Sequence, residues 1–347
     1  MFRVVAALSA CLAMLCVAWP KQALACAGCS NPNLPSGRGE ARVLGPKEIS
    51  ATFNLTGTTM HVVHSQYCPD IGPICQMRDE PGQLHDQRIF ALEFRPIVAV
   101  GITKWLSAEL QLPFRMTNTS ISFRRLDGTL FTPDYESIHH RNETLGGIGD
   151  PWLLARGGWA LSGWTFTAKT GVAIPLGSTV VDPFELGDAG KSHQHIQFGT
   201  GTFNPLLGLD VTTKLGRFLL GAYGQAQWTF YENKHGYRAG NRYMGGLSGE
   251  TTFFEKLRVG IGADILNEQP ERWGGAIKQD GNVGRTDVLA GGMVGYNFGS
   301  LAALLSVKVP VWQKFQGTAH DGSDPGQLTY PAIVNIAVQT DFGTSKR

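Results

Sequence analysis

The chain has 347 residues, 17% of them charged, with 44 glycines and a net charge of +2. A near-neutral balance with no basic stripe speaks against nucleic acid as a partner. Low charge, abundant glycine and no helical periodicity point to an all-β chain with many tight turns.

The first 25 residues read as a processing signal. Arg3 supplies a positive start, and Val4 to Trp19 is an apolar run of about 16 residues, short for a spanning helix. Ala23-Leu24-Ala25 fits the small-x-small cleavage rule, so the mature chain is expected to begin at Cys26. Acylation of Cys26 is the competing reading, and Ala23 stands where a lipobox prefers Leu or Val. Beyond the signal no continuous apolar run reaches the roughly 18 residues of a transmembrane helix. An exported chain of this kind that enters a membrane does so as a barrel, because only closed barrels and helices satisfy every backbone group in lipid. The expected organisation is a signal at 1–25, a Gly/Pro/Asn/Ser-rich periplasmic arm at 26–45, a barrel at 46–342 and a tail at 343–347.

Cys11 and Cys16 leave with the signal. The remaining cysteines are Cys26 and Cys29, in Cys-Ala-Gly-Cys, and Cys68 and Cys75. An even number in an oxidising compartment reads first as two local disulfides. Ser30 follows Cys29 where covalent c-type haem needs a histidine, and no second pair completes a structural zinc site. A thiol pair handling metal or electrons remains the alternative for Cys26 and Cys29.

Strand signals follow in order, at roughly 47–63, 88–101, 105–122, 149–160, 164–177, 198–213, 217–231, 238–253, 256–267, 286–298, 301–313 and 329–342 by their two-residue alternation. In the fifth, Phe166, Ala168, Thr170, Val172 and Ile174 fall on one face and Thr167, Lys169, Gly171 and Ala173 on the other. The sixth sets Phe203, Leu207, Leu209 and Val211 against Asn204, Gly208, Asp210 and Thr212. One face is apolar and the other small or polar, as in a strand between lipid and a wet lumen. The connections alternate long and short to the end of the chain. An antiparallel transmembrane barrel sorts its connections by side, and a soluble sandwich has no reason to. The expected fold is therefore an up-and-down antiparallel barrel of about twelve strands, with both termini on the periplasmic side. Trp105, Trp152, Trp159, Trp164, Trp228, Trp312, Tyr330 and Phe342 near strand ends are expected in the aromatic girdles.

Gly147-Gly-Ile-Gly-Asp150, Gly171-Val-Ala-Ile-Pro-Leu-Gly177, Gln197-Phe-Gly-Thr-Gly201 and Val309-Pro-Val-Trp-Gln313, in this order, resemble the outer-membrane barrel family named after the meta-pathway of phenol degradation. The resemblance covers roughly 88–342. It implies an outer-membrane barrel of a Gram-negative bacterium, described in the family as a transporter or porin, and brings no catalytic residues.

Alternation places Glu93, Arg95, Glu109, Arg115, Arg156, Lys169, Asp210, Gln225, Gln227, Glu250, Arg258, Asp264 and Lys308 on the inward face. Two readings stand: a polar pore tuned by mixed charge, and a small barrel filled by paired charges. The histidines lie in or beside the predicted outer loops. His139, His140, His193 and His195 are the secondary metal candidates, since imidazole suits zinc or copper. No cofactor is assigned. No nucleophile–base arrangement stands out, so the chain is read as a non-enzyme. The expected role is passive diffusion of small solutes across an outer-membrane lipid bilayer, with the arm as a surface for a periplasmic protein. The competing role is a sleeve or partner for a periplasmic electron-transfer system, because sheaths of multihaem cytochromes also carry an N-terminal Cys-x-x-Cys.

Overall fold

The structure, a computed structural model, describes residues 44–66, 82–135, 137–138, 140–278, 281–317 and 328–343. The expected signal, the expected arm up to residue 43, Cys26, Cys29, Cys68, Cys75 and His139 lie outside the described residues.

The chain forms β1 (Ile49–Gln66), β2 (Gln83–Gly101), β3 (Leu106–Gln111), β4 (Phe114–Arg125), β5 (Leu130–Phe131), β6 (Glu143–Ile148), β7 (Trp152–Leu161) and β8 (Trp164–Ala173). A short helix α1 (Pro183–Asp188) follows, then β9 (Asn204–Leu215), β10 (Phe218–Gln227), β11 (Tyr237–Arg238), β12 (Arg242–Phe253) and β13 (Leu257–Glu268). The chain ends with β14 (Arg272–Trp273), β15 (Arg285–Asn297), β16 (Leu301–Phe315) and β17 (Ile333–Phe342). β3 and β4 are one stave interrupted at Leu112-Pro113, since both pair with β2. β6 and β7 are likewise one stave, interrupted at Gly149-Asp150-Pro151. Proline cannot donate to a ladder, so it sits where pairing stops. Counted this way the sheet has twelve antiparallel staves, and β1 closes it by pairing with both β2 and β17. Closure removes the exposed edges that an open sheet would present.

Turn chemistry explains one end of the barrel. Ser162 and Gly163 join β7 to β8 with φ of 50° and 83°, the two positive values that a tight hairpin turn of matching twist requires. The β9–β10, β12–β13 and β15–β16 links are also short. Long connections gather at the opposite end.

The side chains are distributed inside out relative to a soluble protein. Phe53, Phe94, Leu209, Leu247, Ile261, Leu305 and Ile336 are exposed on the outer face, while Asn54, Thr56, Glu93, Arg95, Asp210 and Asp264 are buried. A continuous apolar belt of this kind is a surface for lipid. A register shift between Val288 and Leu289 on β15 leaves both Val311 and Trp312 of β16 facing outward, the local effect of a bulge.

Several expectations need correcting. Strand five stops at Ala173, strand six begins at Asn204 and strand twelve at Ile333, because the intervening segments turn inward. Trp152 and Tyr330 are not girdle residues. Both are 8% exposed. Trp152 restarts the stave after Pro151 with its ring on the inward side, and the Tyr330 hydroxyl donates to Asp287 at 2.6 Å. His64 and His85 are on strands, because β1 and β2 run further toward the long-loop end than alternation alone indicated.

Candidate functional site

The barrel interior has two unlike halves. Toward the short turns it is polar and open. Arg115, Glu93, Arg95, Gln111, Glu109 and Arg156 form one continuous chain across β4, β2, β3 and β7. Arg115 Nε and Arg95 Nε each donate to Glu93 at 2.8 Å. Arg95 Nη1 donates to Gln111 at 3.0 Å, Gln111 Nε2 to Glu109 at 2.7 Å, and Arg156 Nη1 to Glu109 at 2.7 Å. Period-two geometry explains the set. Residues 93, 95, 109, 111, 115 and 156 share inward parity on adjacent staves, so their heads meet across the sheet.

Three further pairs continue around the wall. Lys169 meets Asp210 at 2.7 Å, Lys308 meets Asp264 at 2.7 Å and Arg258 meets Glu250 at 2.9 Å. The Tyr223 hydroxyl also donates to Asp264 at 2.7 Å. Each pair offsets part of the cost of removing its members from bulk water. Between the walls lies a cavity of about 1120 Å³, open to solvent, bordered by Arg95, Glu109, Gln111, Arg156, Lys169, Gln225 and Arg258 together with Trp152 and Leu154. A second cavity of about 810 Å³ adjoins it through Asn54, Leu304 and Ala337 and reaches Asp264 and Lys308. Alternation alone did not single out Gln111, Tyr223 or Trp152. Their parity was readable, but nothing beyond parity set them apart from other inward residues.

Toward the long loops the interior is packed. Met60, Val62, Ile89, Ala91, Leu289, Leu328, Tyr330 and Ile333 form an apolar cluster across β1, β2 and β15, with the segment before β17 folded onto it. The connection between β8 and β9 also turns in against the wall. Its Phe198 carbonyl accepts from Arg115 Nη1 at 3.1 Å. Asp150, at the interrupted stave, fastens it: the carboxylate accepts from Gly177 N at 3.0 Å and from Thr200 N and Oγ1 at 2.7 Å each. At Gly177 and Gly199 the backbones approach so closely that a Cβ on either would lie 2.5 Å from the other's backbone, a contact only glycine permits.

A small cap of loops sits beyond. Tyr237 of β11 and Trp273 of β14 pack with ring centroids 4.8 Å apart, and Phe184 of α1 packs against Trp273 and His195. Glu271 is buried beneath, accepting from Trp273 Nε1 at 3.3 Å and Asn282 N at 3.1 Å. Burial pushes its carboxyl up to about 7, because the charged form loses its water. The same burial, with His193 nearby, holds His195 down at about 3. His193 Nδ1 donates to the Lys191 carbonyl at 2.8 Å, and its ring lies 5.2 Å from that of His195. His140 packs instead against His85, at 4.4 Å. His193 N nonetheless donates to the Ile138 carbonyl at 3.0 Å, so the two histidine segments run side by side. Among the described residues no three His, Cys, Asp or Glu side chains converge as a metal set.

No family model and no curated protein sequence matches the chain. Among solved structures it is similar to the COG4313 outer membrane channel of Pseudomonas putida F1, at 13% identity over 89% of this chain and 100% of that one, with a TM-score of 0.59. A FadL homologue of Pseudomonas aeruginosa matches at 12% identity over 85% of this chain and 90% of that one, with a TM-score of 0.40. The fold of this chain is that of the outer-membrane β-barrels.

Proposed function

We propose that the chain is a channel of the Gram-negative outer membrane that passes small solutes by passive diffusion, and that its interior charges set solute preference. The observation that carries this reading is the pair of adjoining, charge-lined cavities inside a barrel whose outer face is an apolar belt. A wall in which cations and carboxylates are held by partners stays fixed while solute passes, and biases entry by sign. The fold likeness to a protein described as an outer membrane channel, and the resemblance to the meta-pathway family, support the same role. No catalytic role is assigned to any residue. Purified protein in planar bilayers is expected to give small, discrete conductance steps, and proteoliposomes to take up small solutes. An absence of both conductance and uptake would overturn the reading in favour of a filled barrel.

A further inference from the structure

The walls of the larger cavity are not balanced in sign. Arg95, Arg156, Lys169 and Arg258 all border it, yet Glu109 is the one carboxylate at its surface among the described residues. The carboxylates that neutralise Arg95, Lys169 and Arg258 are Glu93, Asp210 and Glu250, and none of the three lines the cavity. Moreover, Glu93 serves both Arg95 and Arg115. Among the described residues, the chain of contacts from Arg115 to Arg156 therefore holds three guanidiniums on two carboxylates, one more positive than negative charge.

Arg95 is where that surplus meets the cavity. Its guanidinium stacks 4.5 Å from the Trp152 ring, which fixes its plane. Its Nε, Nη1 and Nη2 engage Glu93 and Gln111. These contacts use three of the five N–H donors that a guanidinium carries, and a guanidinium is the side chain whose donor geometry matches a carboxylate. An apolar patch of Ile97, Leu154, Leu304 and Ala337 shares the cavity wall with the polar side chains.

We infer that this cavity is a binding site for small organic monocarboxylates, with the carboxylate on the Arg95 side and the hydrocarbon body against the apolar patch. One surplus charge suits a monoanion better than a dianion such as phosphate. The apolar patch beside it favours a short hydrocarbon body that leaves water. This inference names the solute class for the proposed channel and so rests on that reading, but binding at equilibrium is measured separately from conduction.

The test is calorimetric titration of the purified full chain in detergent micelles, with micelle blanks, using butyrate, neutral butyramide and inorganic phosphate. Butyrate is expected to bind saturably and at least tenfold more tightly than either of the others. Arg95→Gln is expected to weaken butyrate binding at least tenfold, while Arg95→Lys, which keeps the charge and loses the guanidinium geometry, loses less. Equal binding of butyrate and butyramide, phosphate binding as tight as butyrate, no butyrate binding, or unchanged affinity in Arg95→Gln would each overturn the inference. If Arg95→Gln fails to assemble, shown by the loss of heat-modifiable gel mobility, the wild-type comparison and Arg95→Lys decide. Butyrate binding by a protein that conducts nothing in bilayers would leave the site standing and sink the channel.

Discussion

The two halves of the barrel interior solve opposite problems with the same strand geometry. In the short-turn half, inward positions carry charges that pair across neighbouring staves and leave open space between them. In the long-loop half, inward positions carry Met60, Val62, Ile89 and Leu289, and inturned segments fill the space. Polar groups with partners tolerate water beside them, whereas an apolar lining is stable only when something covers it. On the proposed channel reading, the open half is where solute is sorted and the packed half is where passage is restricted.

Glu93→Ala attacks the open half hardest. It strands Arg95 and Arg115 without their shared carboxylate, a loss worth about 3–5 kcal/mol, and should lower the unfolding temperature of the purified barrel sharply. An unchanged transition would mean that the network is not holding the wall. Asp150→Ala attacks the packed half. The three bonds it removes anchor the inturned connection, and charged hydrogen bonds of this kind contribute on the order of 4 kcal/mol together. Freeing the connection should raise single-channel conductance, and equal conductance would place the restriction elsewhere.

The cap gives a pH dependence. Glu271 is raised from its ordinary value to about 7. Between the unfolded value near 4.5 and about 7, the folded cap holds more protons than the unfolded one, so its stability falls as pH rises through that window and then levels off. The full loss is on the order of 3 kcal/mol. Hydrogen exchange over 269–284 should be faster at pH 8 than at pH 5 beyond the intrinsic rate change, and Glu271→Gln should abolish the difference. The smallest effect belongs to the outside of the barrel. His61 pairs with Asp86 at 2.8 Å but is 53% exposed. His61→Ala should therefore change stability by less than about 1 kcal/mol, and a larger loss would show that the pair is not a solvent-screened one.

The staves and the alternation of long and short links were legible in the sequence because a period of two is local. Arg156 shows both the reach and the limit of that rule. Its inward parity was readable, and Trp152, four residues earlier on the same stave, shares it. The expectation that aromatics near strand ends form girdles overrode the parity and misplaced the ring. Tyr330 failed differently, since the alternation of β17 was extended back into residues that are not strand. Which carboxylate meets which cation was not legible. Arg95 finds Gln111, and Lys308 finds Asp264, only through the register of separate staves, which closure of the barrel fixes. The Asp150 anchor and the Glu271 pocket depend on loops folding inward, for which a sequence offers no period to read.

The central claim is that fixed charges in the open half govern what enters. Lys169 pairs with Asp210 at 2.7 Å at the border of the larger cavity, so Lys169→Glu replaces that pair with two adjacent carboxylates. The decisive measurement is the reversal potential of wild type and Lys169→Glu in planar bilayers under a potassium chloride gradient. The account predicts a displacement toward potassium selectivity in the variant. Identical reversal potentials in two conducting proteins would contradict it.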